Sequence, residues 1–88
     1  MGKYERLFEQ IIQQGQTTNI SFSDLQYLIT RLGFVEKSVR GDHFTYKMSG
    51  VPDKLNLQPN GKDAKPYQVR QVRNIVIQYK LGGADDEI

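Results

Sequence analysis

His43 is the only histidine in the chain of 88 residues, and there is no cysteine. Its imidazole is the one side chain whose reference pKa lies near neutrality, which makes it the single candidate general acid or base. It follows a tight Arg40-Gly41-Asp42 turn. A lone imidazole can assist attack of a ribose 2′-hydroxyl on the adjacent phosphate, provided that cations hold the phosphate and stabilise its developing charge. Arg40, Lys47, Lys62, Lys65, Arg70 and Arg73 are available, all in the second half of the chain. Residues 34–81 hold nine Lys and Arg against four acids. Without thiolates or a second imidazole, neither a Cys/His metal cluster nor a metal cofactor is expected. Each of these features also has a plainer reading. A lone surface histidine is usually a solvated side chain, and a rim of cations surrounds most small domains.

The elements that would position His43 follow from the periodicity. Tyr4, Leu7, Phe8, Ile11 and Ile12 fall on one helical face, predicting a helix over 3–14 that stops at Gly15. Ser21 and Asp24 form a weaker relative of the Ser-x-x-Glu capping box, with Leu25, Leu28, Ile29 and Leu32 as the stripe of a second helix ending at Gly33. From Phe34 the period shortens to two. Three short antiparallel strands are expected, over 34–40, 42–48 and 54–58, with turns at Gly41 and at Ser49-Gly50-Val51-Pro52-Asp53. Alternation places Phe44, Tyr46 and Met48 on one side of the second strand and His43, Thr45 and Lys47 on the other. Leu55 and Leu57 likewise oppose Lys54, Asn56 and Gln58. The pattern leaves open which of Phe34, Val35 and Val39 is buried. Residues 59–65 read as a loop, and Pro66 fits the first turn of a last helix with Val69, Val72, Ile75, Val76 and Tyr79 as its stripe.

The order α, α, β, β, β, α predicts a small α+β domain, a three-stranded antiparallel sheet with its helices gathered on one face. At 38% hydrophobic and 25% charged residues the composition is that of one soluble domain over residues 1–81, too small for a multidomain enzyme or a large cofactor fold. Gly82-Gly83-Ala84 and the three acids after it have little to bury, so a disordered acidic tail is expected over 82–88. The formal charge is +2. With Asp85, Asp86 and Glu87 set aside, twelve basic residues face seven acids, +5, a balance compatible with nucleic acid as a partner. The apolar runs are too short to span a membrane. The charged start MGKYERLFEQ lacks the apolar stretch of a signal peptide, and Arg6 stands where a myristoylation motif has Ser or Thr, so a cytoplasmic chain is expected.

Leu32-Gly33-Phe34, Arg40-Gly41-Asp42-His43-Phe44, Asn56-Leu57-Gln58-Pro59 and the closing Tyr67 to Leu81 helix resemble the HicA family of bacterial toxins over residues 20–81. The resemblance implies a double-stranded-RNA-binding-domain-like α-β-β-β-α fold, to which residues 3–14 add an N-terminal helix. It implies an mRNA interferase, an endoribonuclease acting on mRNA, that is neutralised by a HicB antitoxin; with no plausible metal cluster in the chain, metal-independent cleavage is expected. The family's essential histidine follows a small turn, commonly Gly-Ser-His, which falls here on Gly41, Asp42 and His43. Asp replaces Ser at the middle position. An acid there repels phosphate, and at a turn it can approach the imidazole. Lys62-Asp63-Ala64-Lys65 is similar to the basic cluster that precedes the last helix of double-stranded-RNA-binding domains, where cations reinforce the anion-binding field of the helix N-terminus. Three functions therefore stay in view: an endoribonuclease with His43 as its acid or base, a non-catalytic RNA-binding module on the same scaffold, and a protein-interaction domain whose polar sheet face docks a partner.

Overall fold

The computed structural model describes residues 2–83. The first apolar stripe folds as α1, Lys3–Phe8, and then widens into a π turn, Glu9–Gln13, where a single α-helix over 3–14 was expected. The change of geometry is visible in the bond from the Gln14 N–H to the Glu9 carbonyl, 2.9 Å across five residues. The stripe nevertheless goes into the core, with Leu7, Ile11 and Ile12 buried. One carbonyl at the end of this helix, that of Ile12, accepts from Arg73 Nε at 2.8 Å, a side-chain cap from the far end of the chain.

Helix α2, Phe22–Leu32, is capped at Ser21, whose Oγ accepts from the Asp24 N–H at 3.1 Å. The Asp24 carboxylate turns to Lys3 Nζ, 3.2 Å away, so only half of a capping box forms. Gly33, at φ 118°, closes the helix in a left-handed conformation that any Cβ would strain. Phe34 follows and is buried, whereas Val35 and Val39 are exposed, which settles what alternation alone left open.

Three strands then pair antiparallel in the order β1-β2-β3: β1 Val35–Arg40, β2 His43–Met48 and β3 Val51–Leu57. The first turn is Gly41-Asp42, so Asp42 belongs to the turn and not to the second strand as expected, whereas the second turn is shorter than the pattern predicts. The second is only Ser49-Gly50, so Val51, Pro52 and Asp53 belong to β3 and not to a five-residue turn. Pro52 fits because β3 is an edge strand, where a missing N–H need not break the ladder. Cross-strand pairs Phe44↔Leu57 and Tyr46↔Leu55 put the apolar set on one face. Tyr46, Val51, Leu55 and Leu57 join the helical residues in one core, with Phe44 and Met48 packed against it.

Residues 59–65, expected as a loop, form a minimal ribbon of β4, Pro59–Asn60, against β5, Asp63–Ala64. It is fastened to the entry of α2: Ala64 N–H donates to the Ile20 carbonyl at 2.8 Å and Phe22 N–H to the Lys62 carbonyl at 2.9 Å. Helix α3, Pro66–Gln78, starts with proline in its first turn and buries Val69, Val72, Ile75 and Val76. It ends three residues before Leu81, and Tyr79 is only half-buried. A 3₁₀ turn, Leu81–Gly83, closes the described chain. Gly82 and Gly83 therefore depart from the expected disordered tail. Gly82, at φ 60°, lies against α1 and α2 so closely that a Cβ would stand 2.7 Å from Leu32 Cδ2 and Tyr4 Oη. Residues 84–88 of that tail lie outside the described residues. The whole is an α+β fold, with two N-terminal helices, a three-stranded antiparallel sheet and a C-terminal helix. Among the described residues no helix is long and apolar enough to cross a membrane.

Candidate active site

A two-residue hairpin sets His43. Gly41 takes φ 60° while Asp42 stays out of the positive region, the pattern of a turn that needs glycine at its first central position. The hairpin register pairs Arg40 directly with His43 across β1 and β2. Cross-strand partners share a face, so guanidinium and imidazole project from the same side of the sheet. That side is the polar one. The His43 side chain is 64% exposed, and Lys47, Lys54 and Asn56 are exposed as well. Thr45 Oγ1 donates to Asn56 Oδ1 at 2.8 Å, a cross-strand bond that ties β2 to β3 beside the histidine.

Asp42 is not idle. Its Oδ1 lies 3.7 Å from His43 Nε2, beyond hydrogen-bond length but close enough for the two groups to sense each other's charge. Its Oδ2 accepts from Gln58 Nε2 at 3.1 Å, and Gln58 Oε1 in turn accepts from Lys65 Nζ at 2.9 Å. The bond from Gln58 is the main reason that the Asp42 carboxyl lies below its ordinary pKa; desolvation opposes it, and a backbone hydrogen bond and then the nearby His43 and Lys65 add to the lowering. A chain of polar contacts thus runs from Lys65, which precedes α3, through Gln58 and Asp42 to the imidazole.

The anchor of this chain is Gln68, 4% exposed and the only buried polar or charged residue among those described. Its Oε1 accepts from the Gln58 backbone N–H at 3.0 Å. Its Nε2 lies 3.3 Å from both the Asn56 carbonyl and Tyr67 Oη and donates to them. The first turn of α3 is thereby bolted to the end of β3, and the outward reach of Gln58 is fixed at its backbone. Gln58 was expected on the polar face of the third strand and in the Asn56-Leu57-Gln58-Pro59 stretch, but neither it nor Gln68 was expected as a site residue. For Gln68 a signal was available, since it stands four residues before Val72 and eight before Val76, on the buried stripe itself.

Of the six cations expected to bind RNA, the structure brings Arg40 and Lys65 to His43, one as its cross-strand partner and the other through Gln58 and Asp42. Lys47 lies on the same sheet face but at the other end of β2, four residues along, roughly 13 Å at the rise of a strand. There it lines a shallow groove with Val35, Lys37, Met48 and Ser49. Lys62 is exposed in the β4–β5 turn and lines a different groove, floored by Phe22 and Phe44. Arg70 is exposed on α3. Arg73 is drawn to the first helix, its Nε bound to the Ile12 carbonyl and its guanidinium beside Gly15. Sequence alone could not separate Arg73 from Arg70, since the carbonyl that engages it is sixty-one residues away. Compared with protein-family models, with curated proteins and with solved structures, the chain matches none.

Proposed function

We propose that the protein is a HicA-like, metal-independent endoribonuclease in which His43 is the general acid or base. The observation that carries this reading is an exposed imidazole at a glycine turn on the polar sheet face, with Arg40 as its cross-strand partner and Lys65 linked to it through Gln58 and Asp42. His43 takes the proton of a ribose 2′-hydroxyl and the 2′ oxygen attacks the adjacent phosphorus. The bond from phosphorus to the 5′ oxygen breaks, and that oxygen leaves with a proton from the imidazolium or from water. The products are a 2′,3′-cyclic phosphate and a free 5′-hydroxyl. Arg40 and Lys65 are the groups suited to the charge that builds on the phosphoryl oxygens. The α-β-β-β-α order that the HicA resemblance implies is matched by α2, β1, β2, β3 and α3, with the short β4–β5 ribbon added before α3.

A second reading, RNA binding without turnover, is favoured by one specific feature. The Asp42 carboxylate is held ionised by Gln58 beside the imidazole, and a fixed negative charge there opposes phosphate approach. A protein antitoxin of HicB type is part of the first reading, since His43 stands open and its exposed face offers Lys47 and Lys54 to acidic partner groups.

The test is cleavage of RNA in excess EDTA with analysis of the ends. Cyclic phosphate or 3′-phosphate ends, and inhibition on co-purification with the product of an adjacent gene, are expected. Binding of RNA with no cleavage selects the second reading, and chelator-sensitive cleavage contradicts the mechanism.

A further inference from the structure

Tyr67 is the one aromatic side chain among the described residues that is left largely in water, 57% exposed at the second position of α3. The other aromatics are buried or half-buried in the core and its margins. An exposed tyrosine on a small domain is often only a solvated ring, but three features set this one apart. Its hydroxyl accepts from the buried Gln68 amide at 3.3 Å, the same amide group that binds the Gln58 N–H and the Asn56 carbonyl. The ring is therefore moored by its polar end to the corner of β3 that supports Asp42 and His43, separated from the Gln58 backbone by one glutamine side chain. A ring held at its hydroxyl has little freedom to lose when something stacks on it.

Its surroundings are also those of a polyanion track. Lys65 stands two residues before it and Arg70 three residues after it, one helical turn along the exposed surface of α3. No acid occurs anywhere in the helix, Pro66–Gln78. Of the acids in the flanking segments, Asp63 is exposed in β5, two residues before Lys65, and Asp42 has its Oδ2 already engaged by Gln58. Finally, the ring is too exposed to contribute much packing, so its apolar face is available.

We propose that Tyr67 is a stacking platform for an unpaired nucleobase beside the His43 site, with Lys65 and Arg70 taking the flanking phosphates. This rests on the RNA reading above and adds a selectivity to it. A base can lie on the ring only after leaving its own stack, so the site takes single-stranded RNA in preference to a duplex.

The test measures binding by fluorescence anisotropy in a His43→Ala background, where cleavage cannot obscure it. The probes are a labelled, unstructured RNA oligonucleotide and the same strand annealed to its complement. Tyr67→Ala is expected to weaken single-strand binding roughly 5- to 150-fold, as removal of one base-stacking aromatic does, while changing duplex binding far less. Tyr67→Phe, which keeps the ring and loses the hydroxyl, is expected to retain most of the affinity. If Tyr67→Phe is as weak as Tyr67→Ala, the hydroxyl and not the ring matters and stacking is overturned. Equal binding of both probes, or a Tyr67→Ala variant that binds single strands like its parent, also overturns it while leaving the RNA reading intact. Failure of the parent to bind either probe sinks both.

Discussion

Along β2, neighbouring residues serve opposite ends. Phe44, Tyr46 and Met48 face the helices and bind the sheet into a core that includes Leu55 and Leu57. His43, Thr45 and Lys47 face water and hold the groups with chemistry to offer. The two sets differ only in parity along one strand, yet the energetics differ in kind. On the inner face the stabilisation comes from apolar area removed from water and from dense packing. On the outer face it comes from a few exposed polar contacts, each worth little. A strand of six residues can therefore carry a reactive group without the fold depending on it. Changes on one face should register in stability, and changes on the other in function.

The strongest break of this contrast is Leu55→Ala. Leu55 is fully buried opposite Tyr46, so the variant is expected to lose about 2–5 kcal/mol of stability, through the transfer term and the cavity left behind. A denaturant midpoint checks it, and a loss within the range of exposed substitutions would mean that the inner face is not the core. Gln68→Ala comes next and blurs the division, because it is buried yet supports the outer face. Leaving the Gln58 N–H and the Asn56 carbonyl without their partner is expected to lower stability by about 1–3 kcal/mol. It should also loosen Gln58 and with it the hold on Lys65, so RNA cleavage falls in protein that still folds, measured under conditions where a melt shows the variant intact.

Asp42 offers a smaller test through pH. Its folded pKa lies below that of an ordinary carboxyl, chiefly because of Gln58. The stability that this contributes is present above the ordinary carboxylate pKa, about 3.9, and is lost as pH falls through the lowered folded value. Gln58→Ala should return the Asp42 pKa toward the ordinary value, read by NMR titration of its side-chain resonances. An unchanged titration would remove Gln58 from the site.

Most of the inner face was legible in the sequence, because burial imposes a period. The stripes of α2 and α3 and the alternation in β2 and β3 follow from it directly. What escaped was set by partners remote in the chain. The ribbon at 59–64 exists because Ile20 and Phe22 supply its bonds, and nothing in its own composition announces them. The π turn after Phe8 leaves the apolar stripe unchanged, so periodicity could not mark it. Pro52 argued for a turn and sits in a strand only because that strand is an edge. On the outer face His43 and Arg40 stood out by residue type, and hairpin geometry makes them neighbours. The Lys65–Gln58–Asp42 chain did not stand out, since glutamine has many uses and its role here is decided by what it reaches.

His43→Ala joins both halves of the comparison in one variant. A 64% exposed side chain at the start of a strand contributes little to the fold, so the melt should shift by no more than about 0.5 kcal/mol in stability. RNA cleavage should vanish. A variant that melts like its parent and cleaves RNA at the parental rate would contradict the assignment of His43 as the reactive group.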